Sequence, residues 1–273
     1  MTGLPVSYQA AWGIDERTGR GPKRGLTLDR IVGAGVAVAA AEGLEAVSMS
    51  RVAAELRAAT MSLYRYVATK DELLMLMVDA AFAQAPAARR NNEAWRTALS
   101  RWARAHLAVL RRHPWIVRIP VAGPPITPNQ VAWFERALRC LTGTGLSEPE
   151  KLSTLLLVNG FVRNEALLTS DIQQAVAARG ATMAAATASY GRTLASLVDA
   201  RRFPALTVTI ESGVFDRTGD VNEDFDFGLA RILDGVDVLV RERRSKRARR
   251  PKTAIARLPP AAVPVRPPGR GRA

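Results

Sequence analysis

The chain has 273 residues, 48% of them hydrophobic and 6% aromatic, which suffices for one large domain or two modest ones. Its formal charge of +14 is uneven: residues 242–273 carry eleven Lys/Arg against Glu242 alone, residues 1–25 carry four bases against two acids, and residues 26–241 are left with only +2. No apolar run is long enough for a bilayer and no secretion signal opens the chain, while one cysteine (Cys140) and two histidines (His106, His113) exclude a disulfide framework and are too few for a structural zinc site, so a cytoplasmic protein without a metal or cofactor is expected.

Residues 1–25 lack periodicity and contain Gly13, Gly19, Gly21, Pro22 and Gly25, which reads as a flexible arm ending in Lys23 and Arg24. Thr27 is a good N-cap with Asp29 in the first turn, opening a helix through Ile31, Val32 and Val38 that stops in a left-handed residue at Gly43. Ser48 caps a short helix over 49–56, a turn follows at 57–59, and a second short helix runs from Thr60 to about Val67. Thr69 begins another helix, with Glu72 three residues on in a capping-box pattern. Helices over 94–112 and 129–141 flank a Pro/Gly loop at 119–128. Ser147 and Pro149 open a helix that reaches at least Thr169, and alanine-rich 172–200 is helical or partly ordered, with breaks near Gly180 and Gly191. A short segment from Phe203-Pro204 to Gly213 precedes a last helix over about 224–241. Residues 242–273 read as a disordered Pro/Arg-rich tail, whose attraction to nucleic acid is salt-sensitive and carries no sequence information. The expected class is all-α: an N-terminal three-helix module over 26–74 and a larger helical domain over 75–241.

The informative stretch is 43–74, GLEAVSMSRVAAELRAATMSLYRYVATKDELL. Two short helices about a three-residue turn form a helix-turn-helix, whose second helix can enter a major groove when its N-terminal end is polar and exposed. Thr60, Met61, Ser62 and Arg65 project from it, followed by Tyr64, Tyr66 and Lys70. Gly43, Leu44, Ser48, Val52-Ala53 and Leu63-Tyr64-Arg65-Tyr66 with Lys70 and Leu73 make this stretch resemble the tetracycline-repressor (TetR) family, with Arg57 where that family has a turn glycine and Tyr66 where it has histidine. A weaker resemblance over about 95–240 is to the family's ligand-binding and dimerisation domain. What the resemblance implies is a homodimeric transcriptional regulator, a repressor on a near-palindromic double-stranded operator, released by a small-molecule effector. Its candidate DNA-binding residues are Thr27, Ser48, Arg51, Thr60, Met61, Ser62, Tyr64, Arg65, Tyr66 and Lys70. The helices 148–169 and 224–241 are the candidate dimer surface.

The remaining aromatics suggest an effector pocket: Trp102, Trp115, Trp133, Phe134 and Phe161, with His106, Asn159 and Arg163 as polar anchors. For any one of them, plain core packing explains the residue as well. Nothing reproduces the magnesium-assisted drug site of tetracycline repressors themselves. Catalytic arrangements are missing: no phosphate-cradling glycine loop, no G-x-S-x-G, and no partner pattern for Cys140, so no enzyme is expected. The competing function is a non-specific nucleic-acid-binding protein driven by the basic tail.

Overall fold

The computed structural model describes residues 3–14, 25–121, 123–217 and 222–249, which form eleven α-helices and no strand. Helix α2 (Leu28–Glu42) starts where the Thr27 hydroxyl accepts the Arg30 N–H at 3.3 Å, and buries Ile31, Val32 and Val38. It ends at Gly43, whose φ of 89° is the positive value a glycine stop supplies and whose ψ of 167° lies outside the αL helical region and leads into a 3-10 turn over Leu44–Ala46. Helix α3 (Met49–Glu55) is capped by the Ser48 hydroxyl. Helix α4 (Thr60–Leu63) has one turn only, not the two expected. The N–H groups of Tyr66 and Val67 both bond the Leu63 carbonyl, and this tightening carries Val67 into the core. Helix α5 (Lys70–Ala81) is capped by Thr69, but only half of the expected capping box forms. The Glu72 carboxylate accepts the Ala68 N–H at 3.1 Å and the Ser7 hydroxyl at 2.7 Å instead.

Ser7 belongs to helix α1 (Val6–Ala11), which corrects the reading of 1–25 as an arm without structure. Six residues are too few to show a helical period in sequence, yet Ser7 and Tyr8 are buried where α1 lies on α5, and the Trp12 indole donates to the Ile126 carbonyl at 2.9 Å. The basic residues Lys23 and Arg24 lie outside the described residues.

The second half is built around α6 (Trp95–Arg112), which packs against α7 (Pro128–Cys140), α8 (Glu148–Ala177) and α11 (Glu223–Arg249). Ion pairs tie α6 to α11: Arg96–Asp234 at 2.7 Å and Arg104–Asp226 at 3.0 Å. The buried Asp79 of α5 holds the start of α7, its carboxylate accepting the N–H groups of Asn129 and Gln130 at 2.9 and 3.0 Å and the Asn129 amide at 2.9 Å. This satisfies helix-end donors that would otherwise be stranded. Ser147 and Glu150 form a full capping box on α8, and Glu150 also receives Arg243 of α11. The Arg243 guanidinium, followed by the Ser147 N–H, pulls the Glu150 carboxyl down to about 2.

Helix α8 passes Thr169 as expected and runs to Ala177, because no breaker intervenes before Gly180, which has φ 63°. Two boundaries differ from expectation. Gly191 does not interrupt α9 (Met183–Leu197); it is buried, and a Cβ there would stand 2.6 Å from Cβ of Phe215. After α10 (Pro204–Glu211), α11 runs to Arg249, so the expected tail begins as helix. Lys and Arg are good helix formers, and the first proline is Pro251. Residues 250–273 lie outside the described residues.

Candidate functional site

Helices α3 and α4 meet at a turn whose central residue, Arg57, has φ 53°, the one positive φ outside glycine among the described residues. The turn therefore needs the left-handed region, and arginine supplies it against an intrinsic cost of about 1–2 kcal/mol. Val52, Ala53, Leu63 and Val67 are buried beneath the turn and fix α4 on α3. Above them, Met61 is 75% exposed and Tyr64 45% exposed; Arg65 and Lys70 are exposed, and Thr60, Ser62 and Tyr66 are half-buried. Met61, Arg65 and Lys70 thus stand on one outward surface made by α4, the turn after it and the first turn of α5. Such a surface offers a guanidinium for guanine edges, a thioether for a thymine methyl and an ammonium for phosphate.

Three expected contacts have other duties. The hydroxyls of Thr27 and Ser48 accept helix N–H groups as caps. The Arg51 guanidinium is shared by two carboxylates, Glu42 at 2.5 Å and Glu55 at 2.9 Å, which occupy the fork that a phosphate would use. Sequence reasoning missed this because Glu42 belongs to the preceding helix. It also passed over Ser50, exposed beside Ser48 at 3.1 Å between their hydroxyl oxygens.

In the second half, the expected pocket residues divide. Trp102, His106 and Trp133 converge in one buried cluster with centroid separations of 5.1 to 6.2 Å. Phe82, which sequence reasoning did not include, completes it, edge-on to His106 at 5.2 Å and to Trp133 at 5.1 Å. Phe82 closes α5, so the cluster touches the end of the DNA-binding unit. The Trp133 indole donates to the Phe82 carbonyl at 2.8 Å, and the Trp102 indole donates to the Trp133 carbonyl at 3.1 Å. Burial, then the Arg163 charge, lowers His106 to about 3, so its imidazole is neutral. Trp115 pairs its ring with His113 instead, Phe161 stacks on Phe225, Phe134 is half-buried on the core, and Asn159 is half-buried on α8. Beside the cluster, a groove of about 540 Å³ lies between α2, α5 and α6, lined by Gly33, Ala80, Gln84, Ala108 and Arg112 and ending on Trp133. Among the described residues no group of three or more His, Cys, Asp or Glu side chains is placed to hold a metal ion, and no helix is long and apolar enough to cross a membrane.

This arrangement has known counterparts. Residues 31–76 match the family described as bacterial regulatory proteins, tetR family, and residues 85–240 match the tetracyclin repressor-like C-terminal domain. The HTH-type transcriptional repressor DrrR1 of Streptomyces coeruleorubidus is 40% identical over 245 residues, covering 89% of this chain and 88% of that protein. Among solved structures, apo ActR from Streptomyces coelicolor superposes with a TM-score of 0.68 at 28% identity, covering 80% of this chain and 97% of ActR. The same regulator in complex with actinorhodin gives a TM-score of 0.66 at 29% identity, covering 78% and 95%. With both halves matched in order, the chain belongs to the tetracycline-repressor family and is a DNA-binding transcriptional regulator.

Proposed function

We propose that the protein is a homodimeric repressor that occupies a near-palindromic operator in the cytoplasm and leaves it when a small molecule enters the aromatic cluster. In this division of labour residues 26–74 bind DNA, residues 75–241 bind ligand and dimerise, and residues 242–273 add non-specific attraction to DNA. The observation that carries the reading is the double attachment of α5. Its first turn bears Lys70 on the DNA-facing surface, and its last residues end at Phe82 in the cluster and at Asp79 on α7. A ligand that moves Trp133 acts directly on the Phe82 carbonyl, and so on α5, which packs on α2 and follows α4 in the chain. The ligand lowers operator affinity only by as much as it prefers the altered arrangement.

Dimerisation is supported by α8 and α11, each apolar on two faces. Leu155, Val158 and Val162 are buried on α8, while Leu152, Leu156, Leu157 and Leu168 are 48–73% exposed on it. Phe227 and Val238 of α11 are 66% and 57% exposed. Large apolar side chains exposed on a second face of a helix mark an interaction surface. A two-fold dimer would set two recognition units about 34 Å apart on successive major-groove faces. That ActR is solved in complex with actinorhodin supports a small-molecule ligand here.

Footprinting on the intergenic DNA beside the chain's own gene tests the reading, using the intact chain and one ending at residue 249, where α11 ends. A protected near-palindrome in both is expected; protection that vanishes with the tail would leave only tail-driven binding.

A further inference from the structure

Helix α1 lies outside the residues that match the family, 31–76 and 85–240, yet it is fastened at both ends. At one end the Ser7 hydroxyl donates to the Glu72 carboxylate at 2.7 Å, in the first turn of α5, and Ser7 is only 2% exposed. The same oxygen of Glu72 accepts the Ala68 N–H at 3.1 Å, so Ser7 shares its anchor with the junction between α4 and α5. At the other end the Trp12 indole donates to the Ile126 carbonyl at 2.9 Å, in the loop that enters α7. Tyr8, between them, is buried in the core. Chain ends are loose unless tied down, and a six-residue helix does not persist alone in water. No side chain caps the start of α1. Helix α1 therefore exists only while docked, and it docks or melts as one unit.

Its place in the fold gives α1 leverage. Two direct ties join α5 to α7, Asp79 with Asn129 and Gln130 and the Phe82 carbonyl with Trp133, and both act at the end of α5. A helix pinned at one end can pivot there. Glu72 lies ten residues before Phe82, about 15 Å along the helix axis, and α1 spans from Glu72 to the loop before α7. A tie at that distance from the pivot resists a swing that the two near ties permit. What would swing is the first turn of α5 with Lys70, and with it the junction at Ala68 that follows α4. We propose that α1 is a detachable strap: docked, it holds the α4–α5 surface at one angle to the body; detached, it frees the swing by which that surface leaves DNA. This role rests on the DNA-release reading above and adds to it a restraint from residues 6–12.

The test uses the full chain with Ser7→Ala, Trp12→Phe and the two together, and reads hydrogen exchange and affinity for the intergenic DNA beside the chain's own gene. Trp12 is 40% exposed and phenylalanine keeps a ring there, so the fold is retained, and melting curves check it. A strap predicts effects at the end that was not touched. Trp12→Phe should speed exchange about tenfold throughout residues 8–14 and also in the first turn of α5, as the loss of one hydrogen bond from a single docking unit implies. Ser7→Ala should do the same to residues 8–14 and speed the amides of Asn129 and Gln130. DNA affinity should fall about threefold or more in each variant and further in the pair, at a wild-type salt slope, because no phosphate contact is lost. Exchange that rises only beside the substituted residue, a first turn of α5 that stays protected once α1 is free, or DNA affinity unchanged or raised in the double variant would overturn the proposal. A wild type that binds no operator would sink the regulator reading, while the exchange at the untouched ends still judges the strap.

Discussion

The two halves of the molecule use their side chains in opposite ways. Around α3–α5 the core is small and closed, and Met61, Arg65 and Lys70 point outward. Around α6–α8 the distinctive side chains point inward, and Trp102, His106 and Trp133 contact each other and Phe82. The first arrangement suits a rigid partner met from outside; the second suits a small one that must be enclosed. The difference teaches where sensitivity lies. Outward residues should change binding without changing stability, and inward residues should change stability and ligand response together.

The largest effect should come from neither site but from what joins two copies. Leu156 is 73% exposed on α8, so Leu156→Glu leaves the subunit fold intact and places a charge on the proposed dimer face. The expected outcome is a monomer by sedimentation with operator affinity reduced by two orders of magnitude or more, roughly what loss of one of two linked recognition units implies. A dimer that persists would move the interface off α8.

Acid should distinguish the inward cluster next. His106 is pushed from an ordinary 6.5 down to about 3 in the folded state. The unfolded chain therefore takes up a proton that the folded chain refuses, and stability present above pH 6.5 is lost as pH falls toward 3. The expected slope for this one group is about 1.4 kcal/mol per pH unit across that window. His106→Phe should flatten it in denaturant titrations at several pH values, while DNA-surface variants should not.

Outward residues give smaller, cleaner effects. Arg65→Ala should cost about 1–3 kcal/mol of discrimination at one symmetric position per half-site, if the guanidinium reads a guanine edge. Single-base operator variants check this, and a uniform loss across all of them would make Arg65 a phosphate contact. Lys70→Ala should weaken every sequence alike and lower the salt slope by about one charge. Neither should shift the melting temperature.

The contrast between the halves also governs what the sequence reveals. The DNA-binding unit was legible because its signals are local: caps at Thr27, Ser48 and Thr69 place the start of each capped helix, whereas α4, which has no side-chain cap, ends a turn earlier than its spacing suggests. The half-formed box at Thr69 has a partner outside the motif, Ser7, and Arg51 meets one carboxylate from outside it, Glu42, and one within it, Glu55. The aromatic cluster was half legible. Trp102 and His106 share a helix face one turn apart, and that spacing is visible. Phe82 looked like the end of a different helix, and only tertiary packing brings it 51 residues along the chain to Trp133. Helix α1 left no period to read, and the extension of α11 was hidden by a charge run that resembles a solvated tail.

The smallest predicted effect tests the departure from family pattern at the turn itself. Arg57 holds φ 53°, where a side chain is disfavoured by about 1–2 kcal/mol and glycine is at ease. Glycine also makes the unfolded chain more flexible, at about 0.5–1 kcal/mol, so Arg57→Gly should be net stabilising by at most about 1.5 kcal/mol. In a chain of this size that is a rise of a few degrees in melting temperature, about 2–4 °C per kcal/mol. Operator affinity separates two reasons for the arginine. If Arg57 serves only the turn, affinity and salt slope stay at wild-type values. If its exposed guanidinium reaches a phosphate, affinity falls modestly on every sequence and the salt slope drops by about one charge despite the gain in stability. A variant that melts lower would mean that the turn is held by contacts of the Arg57 side chain, and the strain assigned to it here would be wrong.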